Sequence, residues 1–218
     1  MKITKFAQSC ILIETNGKKI LVDPGSIQYE PSLLEGWKKI DVLLVTHKHF
    51  DHCNPEAIKE ITKYSKVKFY TSQEVLDYYP DLKAERVKEG DIINLGKIKI
   101  EVVKAIHGYI PILKGEKEVH QNIGFIIQDD KRIYITSDTI GFKNDYKCDT
   151  LIVPITNYGI VMGPYEAALF AKETGAELVI PVHYDNPKYE VDLEKVKQIF
   201  DKEEINYKFL NIGESIEV

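Results

Sequence analysis

The sequence predicts an α/β protein built from two sheets whose outer faces are covered by helices. Three observations predict it. β-rich apolar stretches dominate both halves of the chain, each half adds a pair of helical segments, and no repeat, low-complexity segment or linker separates the halves. With 218 residues and 44% apolar side chains, the chain has the size and composition of one large domain, taken here as residues 1–218.

The first strands are CILIET and KKILVDP, parted by Asn16-Gly17, the dipeptide favoured in a type I′ hairpin turn. DVLLV at 41–45 does not alternate and reads as a strand buried on both faces. Asn54 can then cap, and Pro55 start, a helix to about residue 64 with Ile58 and Ile61 on one face. A short strand KFYT and a helix around SQEVLDYY follow. Next comes a strand KIKIEVVKAI in which Ile98, Ile100 and Val102 face away from Lys97, Lys99 and Glu101. Pro111 and Gly115 mark YIPILKGEKEV as a mobile surface loop. IGFIIQ and RIYIT flank the Asp129-Asp130 turn, and TLIVPI leads to TNYG. Pro164 opens a helix to about residue 174, LVIPV is a strand ending at His183, and a helix over about 191–201 turns Leu193, Val196 and Phe200 to one side. One or two short strands close the chain.

Composition removes several function classes. The balance of 29 basic against 34 acidic residues gives a net charge of -5, with no basic block to neutralise a row of phosphates, so nucleic acid is a disfavoured partner. No apolar run approaches the roughly 20 residues of a membrane span, and the first residues lack a signal-peptide core, which predicts a cytoplasmic protein. Three cysteines, Cys10, Cys53 and Cys148, have no CxxC spacing and predict reduced thiols rather than a disulfide framework or a thiolate zinc site. Oligomeric state, a homo-oligomer included, is left open.

The chemistry is concentrated in VTHKHFDHCN, where His47, His49 and His52 bring three of the six histidines into six positions beside Asp51. Neutral imidazoles and a carboxylate suit zinc and related divalent ions. Residues two apart in an extended turn point the same way, so His47 and His49 can grip one ion, while Asp51 and His52, further round, can face a second.

THKHFDH matches the HxHxDH signature of the metallo-β-lactamase superfamily. The resemblance extends over nearly the whole chain through ILVDPG, an isolated His107, TSDT with Asp138, and VIPVHYDNP with His183. In order and spacing the chain resembles the small stand-alone metal-dependent hydrolases that include ascorbate-6-phosphate lactonase. That resemblance implies a four-layer αβ/βα sandwich with two divalent ions in the cleft between the sheets, zinc first, with manganese, iron or nickel also compatible. It implies that His47, His49 and His107 hold one ion, that Asp51, His52 and His183 hold the other, and that Asp138 bridges them. The expected activity is hydrolysis of a small-molecule ester, lactone or phosphodiester by a metal-bridging hydroxide that Asp51 orients.

Single positions keep alternatives. His120 could replace His107. Asp138 could be a turn or cap residue, and His183 a core histidine. Asp23 either initiates the turn at Pro24-Gly25 or orients a ligand through a hydrogen bond. Cys53, beside the ligands, is either a soft thiol facing the site or a small buried hydrophobe. Asn54 and Ser137 stand where many relatives have glycine, which affects pocket shape rather than the ligand set. Asn157 and Tyr158, in a loop at the cleft rim, and Tyr184, beside His183, are the candidates to hydrogen-bond substrate oxygen. Two other classes compete: a superfamily nuclease acting on RNA, against which the chain shows no basic stripe or clamping insert, and a non-catalytic metal-binding or regulatory module. A di-iron redox protein is disfavoured by His49, where that branch typically has an acidic residue, and by the lack of room for a flavin domain.

Overall fold

The computed structural model describes residues 1–63, 66–156 and 159–218. Along the chain run β1 (Lys2–Lys5), β2 (Ile11–Thr15), β3 (Lys18–Val22), α1 (Leu34–Trp37), β4 (Val42–Val45), α2 (Pro55–Lys63), β5 (Lys68–Thr71), α3 (Gln73–Tyr78) and β6 (Glu85–Arg86). The second half holds β7 (Ile92–Leu95), β8 (Ile98–Lys104), β9 (Ile123–Gln128), β10 (Arg132–Ile135), β11 (Thr150–Pro154), α4 (Pro164–Thr174), β12 (Leu178–Val182), α5 (Leu193–Lys202) and β13 (Ser215–Glu217). One sheet has the order β13-β1-β2-β3-β4-β5-β6 and the other β12-β11-β10-β9-β8-β7.

The inner faces of the two sheets meet in one apolar core, where Ile11, Ile13, Val22 and Leu44 pack with Ile100, Val102, Phe125, Ile127 and Ile152. Helices close the outer faces. Ile58 and Ile61 of α2 cover Leu43 and Val45, while Ala167, Phe170 and Ala171 of α4, with Val196 and Phe200 of α5, cover Leu151 and Val153. This is the four-layer αβ/βα arrangement. Strand β4 shows why its sequence does not alternate: Val42 and Leu44 enter the central core, and Leu43 and Val45 face the helices.

Local expectations hold where the signal is local. Asn16 and Gly17 both take positive φ, 46° and 72°, as a type I′ turn requires between β2 and β3. The Asn54 side chain accepts the Ala57 N–H at 3.2 Å and caps α2. The expected strand KIKIEVVKAI contains β8, which is the second arm of a hairpin: β7, which the sequence did not signal, pairs with it, turning at Gly96 with φ 73° and setting Leu95 opposite Ile98. Strand β1, absent from the sequence reading, pairs with β2 on one side and β13 on the other. The segment after β8 is exposed, as expected, and holds two 3-10 turns, Pro111–Leu113 and Gly115–Lys117.

The topology places the chemistry. β10, β11 and β12 are parallel, and two antiparallel steps through β9 return β8 to the same direction. The C-terminal ends of β8, β10, β11 and β12 therefore share one edge of their sheet, just as those of β3 and β4 do in theirs.

Candidate metal centre

Every sequence-singled imidazole and carboxylate of the proposed ligand set leaves one of those strand ends. His47 follows β4, His107 follows β8, Asp138 follows β10 and His183 follows β12 directly. The loop carrying His47 to His52 is wound tightly, with the N–H groups of His52 and Cys53 donating to the His49 carbonyl at 3.0 and 2.8 Å. It also packs backbone to backbone against the stretch after β3: a Cβ on Gly25 would fall 1.8 Å from the Asp51 carbonyl oxygen, so only glycine fits there.

Two groups result. One ligand-type atom from each of His47, His49 and His107 lies within 4.8 Å of the others, and Asp51, His52, Asp138 and His183 form a second group under the same limit. They adjoin, since the His47 and His52 rings are 4.1 Å apart between centroids. In the second group His183 Nε2 lies 3.1 Å from Asp51 Oδ2 and 3.2 Å from Asp138 Oδ2, and His52 Nε2 lies 3.2 Å from Asp138 Oδ1. His120, the alternative to His107, is exposed and pairs with Glu118 outside both groups.

Hydrogen bonds fix which nitrogen each ring presents. Thr46 Oγ1 gives its proton to Asp23 Oδ2, so it accepts from His47 Nδ1–H at 3.0 Å. Thr156 Oγ1 donates to the His183 carbonyl, so it accepts from His183 Nδ1–H at 2.8 Å. His52 Nδ1–H donates to Asp23 Oδ2 and His107 Nδ1–H to the Gly108 carbonyl, both at 2.8 Å. His49 is reversed: Nε2–H donates to the Lys117 carbonyl at 2.8 Å, leaving Nδ1 with the lone pair. His52 Nε2 and Asp138 Oδ1, both buried, face each other at 3.2 Å, and Nε2 of His47 and of His107 are buried and make no hydrogen bond. Leaving such an atom unpaired costs about 1–3 kcal/mol. Imidazole nitrogens and carboxylate oxygens that converge with no partner outside the two groups are a donor set that fits divalent cations.

The electrostatics divide along the same line. Burial, then the neighbouring His52, hold His47 well below its ordinary value, and burial also lowers His107 against the pull of Asp138. In the second group burial opposes the outcome and loses. It would lower His52 and His183, but Asp138 leads the carboxylates that hold His52 well above its ordinary value and push His183 up to about 10. It would raise Asp138 and Asp51, yet His183 and His52 hold Asp138 well below the carboxylate range and lower Asp51 too. The Asp138 charge is felt by His47 and His107 as well, so it reaches both groups.

Asp23 takes the ligand-orienting geometry. It is fully buried, accepts Thr46 N–H and Oγ1–H at 2.8 Å each, and burial raises its carboxyl despite His52. Asp23, Ser137 and His183 all hold left-handed backbone, with φ 50°, 63° and 62°, which costs about 1–3 kcal/mol each and is characteristic of functional sites. Three orienting residues escaped the sequence reading: Thr46, Thr156 and Asn122. Asn122 donates to the Asp138 carbonyl at 2.6 Å and accepts from Ser137 Oγ at 2.7 Å.

Other candidates fall elsewhere. Tyr184 gives its hydroxyl proton to the Leu210 carbonyl at 2.6 Å and stacks edge-on to Phe209, so the structure does not offer that hydroxyl to the cleft. Cys53 is buried in the apolar layer with Ile58 and Ile61, and burial pushes its thiol up; it is a small hydrophobe here. Asn157 and Tyr158 lie outside the described residues.

Comparison with known proteins agrees with the geometry. Residues 2–183 match the family model described as "Beta-lactamase superfamily domain". A UPF0173 metal-dependent hydrolase of Listeria welshimeri is 32% identical over the whole of both chains, and one of Anoxybacillus flavithermus is 30% identical over the same full span. The solved structure of a metallo hydrolase from the archaeon Ignicoccus hospitalis superposes with a TM-score of 0.78 at 24% identity, covering 100% of this chain and 98% of that one, a likeness of fold. This chain belongs to the metallo-β-lactamase superfamily.

Proposed function

We propose that this protein is a metal-dependent hydrolase acting on a small-molecule ester, lactone or phosphodiester. His47, His49 and His107 hold one divalent ion, Asp51, His52 and His183 hold a second, and Asp138 reaches both. The observation that carries this reading is the set of five imidazoles, each held through one nitrogen by a partner outside the two groups, with the other nitrogen turned into its group. The names of the full-length relatives, metal-dependent hydrolases, support the same reading.

Bound divalent ions would supply an acidified water and an electrophile for the scissile bond. The protein's own part is placement. Asp138, with 2% of its side chain exposed, is sealed behind the histidines, whereas Asp51, at 14%, opens to the cleft and is the carboxylate placed to orient the attacking water. Thr156, Asp23 and Lys117 keep the rings from turning as charge develops. Zinc suits the imidazole and carboxylate donors first, with manganese, iron or nickel also compatible.

The test is a screen of lactones, phosphodiesters and phosphorylated sugars with the protein as isolated, after chelation, and after zinc or manganese is restored. Activity should vanish on chelation and return with metal. Asp51→Ala should lower kcat/KM by roughly 10²- to 10⁴-fold. Equal rates for Asp51→Ala and the unaltered protein, or activity that survives complete demetallation, would refute the reading.

A further inference from the structure

Among the described residues most ion pairs are surface pairs, and one that is not adjoins the metal centre. Among the described pairs the Lys48 side chain is 9% exposed and that of Lys5 is 0%, against at least 38% for every other lysine. Lys48 stands between His47 and His49, and its Nζ lies 2.9 Å from Glu74 Oε1. The other carboxylate oxygen, Oε2, accepts the N–H groups of His120 at 2.9 Å and Gln121 at 2.7 Å. Gln121 Oε1 returns a bond by accepting Glu74 N–H at 3.2 Å. Burial would raise the Glu74 carboxyl, but the Gln121 and His120 N–H donors and Lys48 outweigh it and lower it. Glu74, in the first turn of α3, thus ties the ligand loop to the segment that enters β9.

That segment carries Lys117, three residues before His120, whose carbonyl takes the His49 Nε2–H. A carbonyl can only accept, so this contact selects the tautomer that leaves Nδ1 as the lone pair. The other two rings of the group are fixed by sequence neighbours: His47 by Thr46 and His107 by the Gly108 carbonyl. His49 depends instead on an exposed turn 68 positions away. A turn with little buried surface holds a position only when something anchors it.

We propose that Glu74 is a positioning residue of the metal centre: together with Lys48 it clamps the 115–121 segment so that the Lys117 carbonyl holds His49 with Nδ1 toward the ion. Its consequence for metal affinity rests on the function proposed above; its consequence for the His49 ring does not.

The experiment is ¹⁵N NMR of histidine-labelled, metal-free protein, followed by zinc titration calorimetry, on the unaltered chain and on Glu74→Ala, Glu74→Gln and Lys48→Met. In the unaltered chain His49 should show the Nε2–H form, with His47 and His107 in the Nδ1–H form. Glu74→Ala should mix the His49 tautomers, leave the other two unchanged, and weaken zinc binding at the three-histidine group by roughly 10- to 100-fold. Glu74→Gln, which keeps an acceptor for His120 and Gln121 but gives up the Lys48 pair, should restore only part of both. A general loss of stability would not single out one ring. Should Glu74→Ala fail to fold, Lys48→Met cuts the same clamp from the loop side and should mix the His49 tautomers too. An unchanged His49 tautomer, or a mixed tautomer with unchanged zinc affinity, would overturn the proposal. Failure of the unaltered chain to bind zinc would instead sink the function reading, with the tautomer result still deciding the clamp.

Discussion

The two halves of the metal centre solve opposite electrostatic problems. His47, His49 and His107 meet as rings without a carboxylate among them, and burial keeps His47 and His107 neutral. Asp51, His52, Asp138 and His183 meet as two carboxylates and two rings, and charge pairing overrides the same burial to keep the rings protonated and the carboxylates ionised. One group has its lone pairs ready for a cation. In the other, protons sit where the cation would go.

The largest effect that sharpens this contrast is on stability without metal. Asp138→Asn leaves the His52 and His183 charges buried with only Asp51 and Asp23 to face, and should destabilise the metal-free protein by about 3–5 kcal/mol. His47→Gln breaks no ion pair and should cost only about 0.5–1.5 kcal/mol, the usual net worth of a hydrogen bond. Urea unfolding of the chelated proteins measures both. Equal losses would show that the two groups are not electrostatically distinct.

The pH dependence of the metal-free protein should also split. His183 is raised from its ordinary 6.5 to about 10, so its contribution is full below pH 6.5 and lost as pH rises toward 10. His47 and His107 are lowered, so their contribution is full above pH 6.5 and lost as pH falls below it. Thermal melts across this range should show His183→Gln flattening the alkaline limb and His107→Gln flattening the acid limb. By the same reasoning, calorimetry in buffers of different ionisation enthalpy should find protons released when zinc fills the carboxylate group and close to none when it fills the other. The smallest effect is expected from Thr156→Val, which removes the acceptor for His183 Nδ1–H and should weaken zinc at that group by roughly 10-fold, without altering the three-histidine group.

What could be read from the sequence was what lies close together in it. The turn at Asn16-Gly17, the doubly buried β4 and the capped start of α2 are signalled within a few residues, and the ligands from His47 to His52 share one short loop. His107, Asp138 and His183 were legible only through resemblance, because isolated residues announce nothing until the strand ends bring them to one edge. Of the orienting partners, Asp23, which serves His52 across 29 positions, was legible only as one of two readings, and Thr156, which serves His183 across 27, and the Lys117 carbonyl, which serves His49 across 68, carried no signal at all. Strand β1 was missed for a related reason. Its four residues carry too short a pattern, and β13, one of its two partners, lies at the opposite end of the chain.

The most direct measurement is an anomalous-difference map of a crystal grown with zinc and recorded on both sides of the zinc absorption edge. Two peaks about 3.5–4 Å apart are predicted, one bounded by His47, His49 and His107 and the other by Asp51, His52 and His183, with Asp138 between them. A map with no peak among these seven side chains, in crystals soaked at millimolar zinc, would contradict the account.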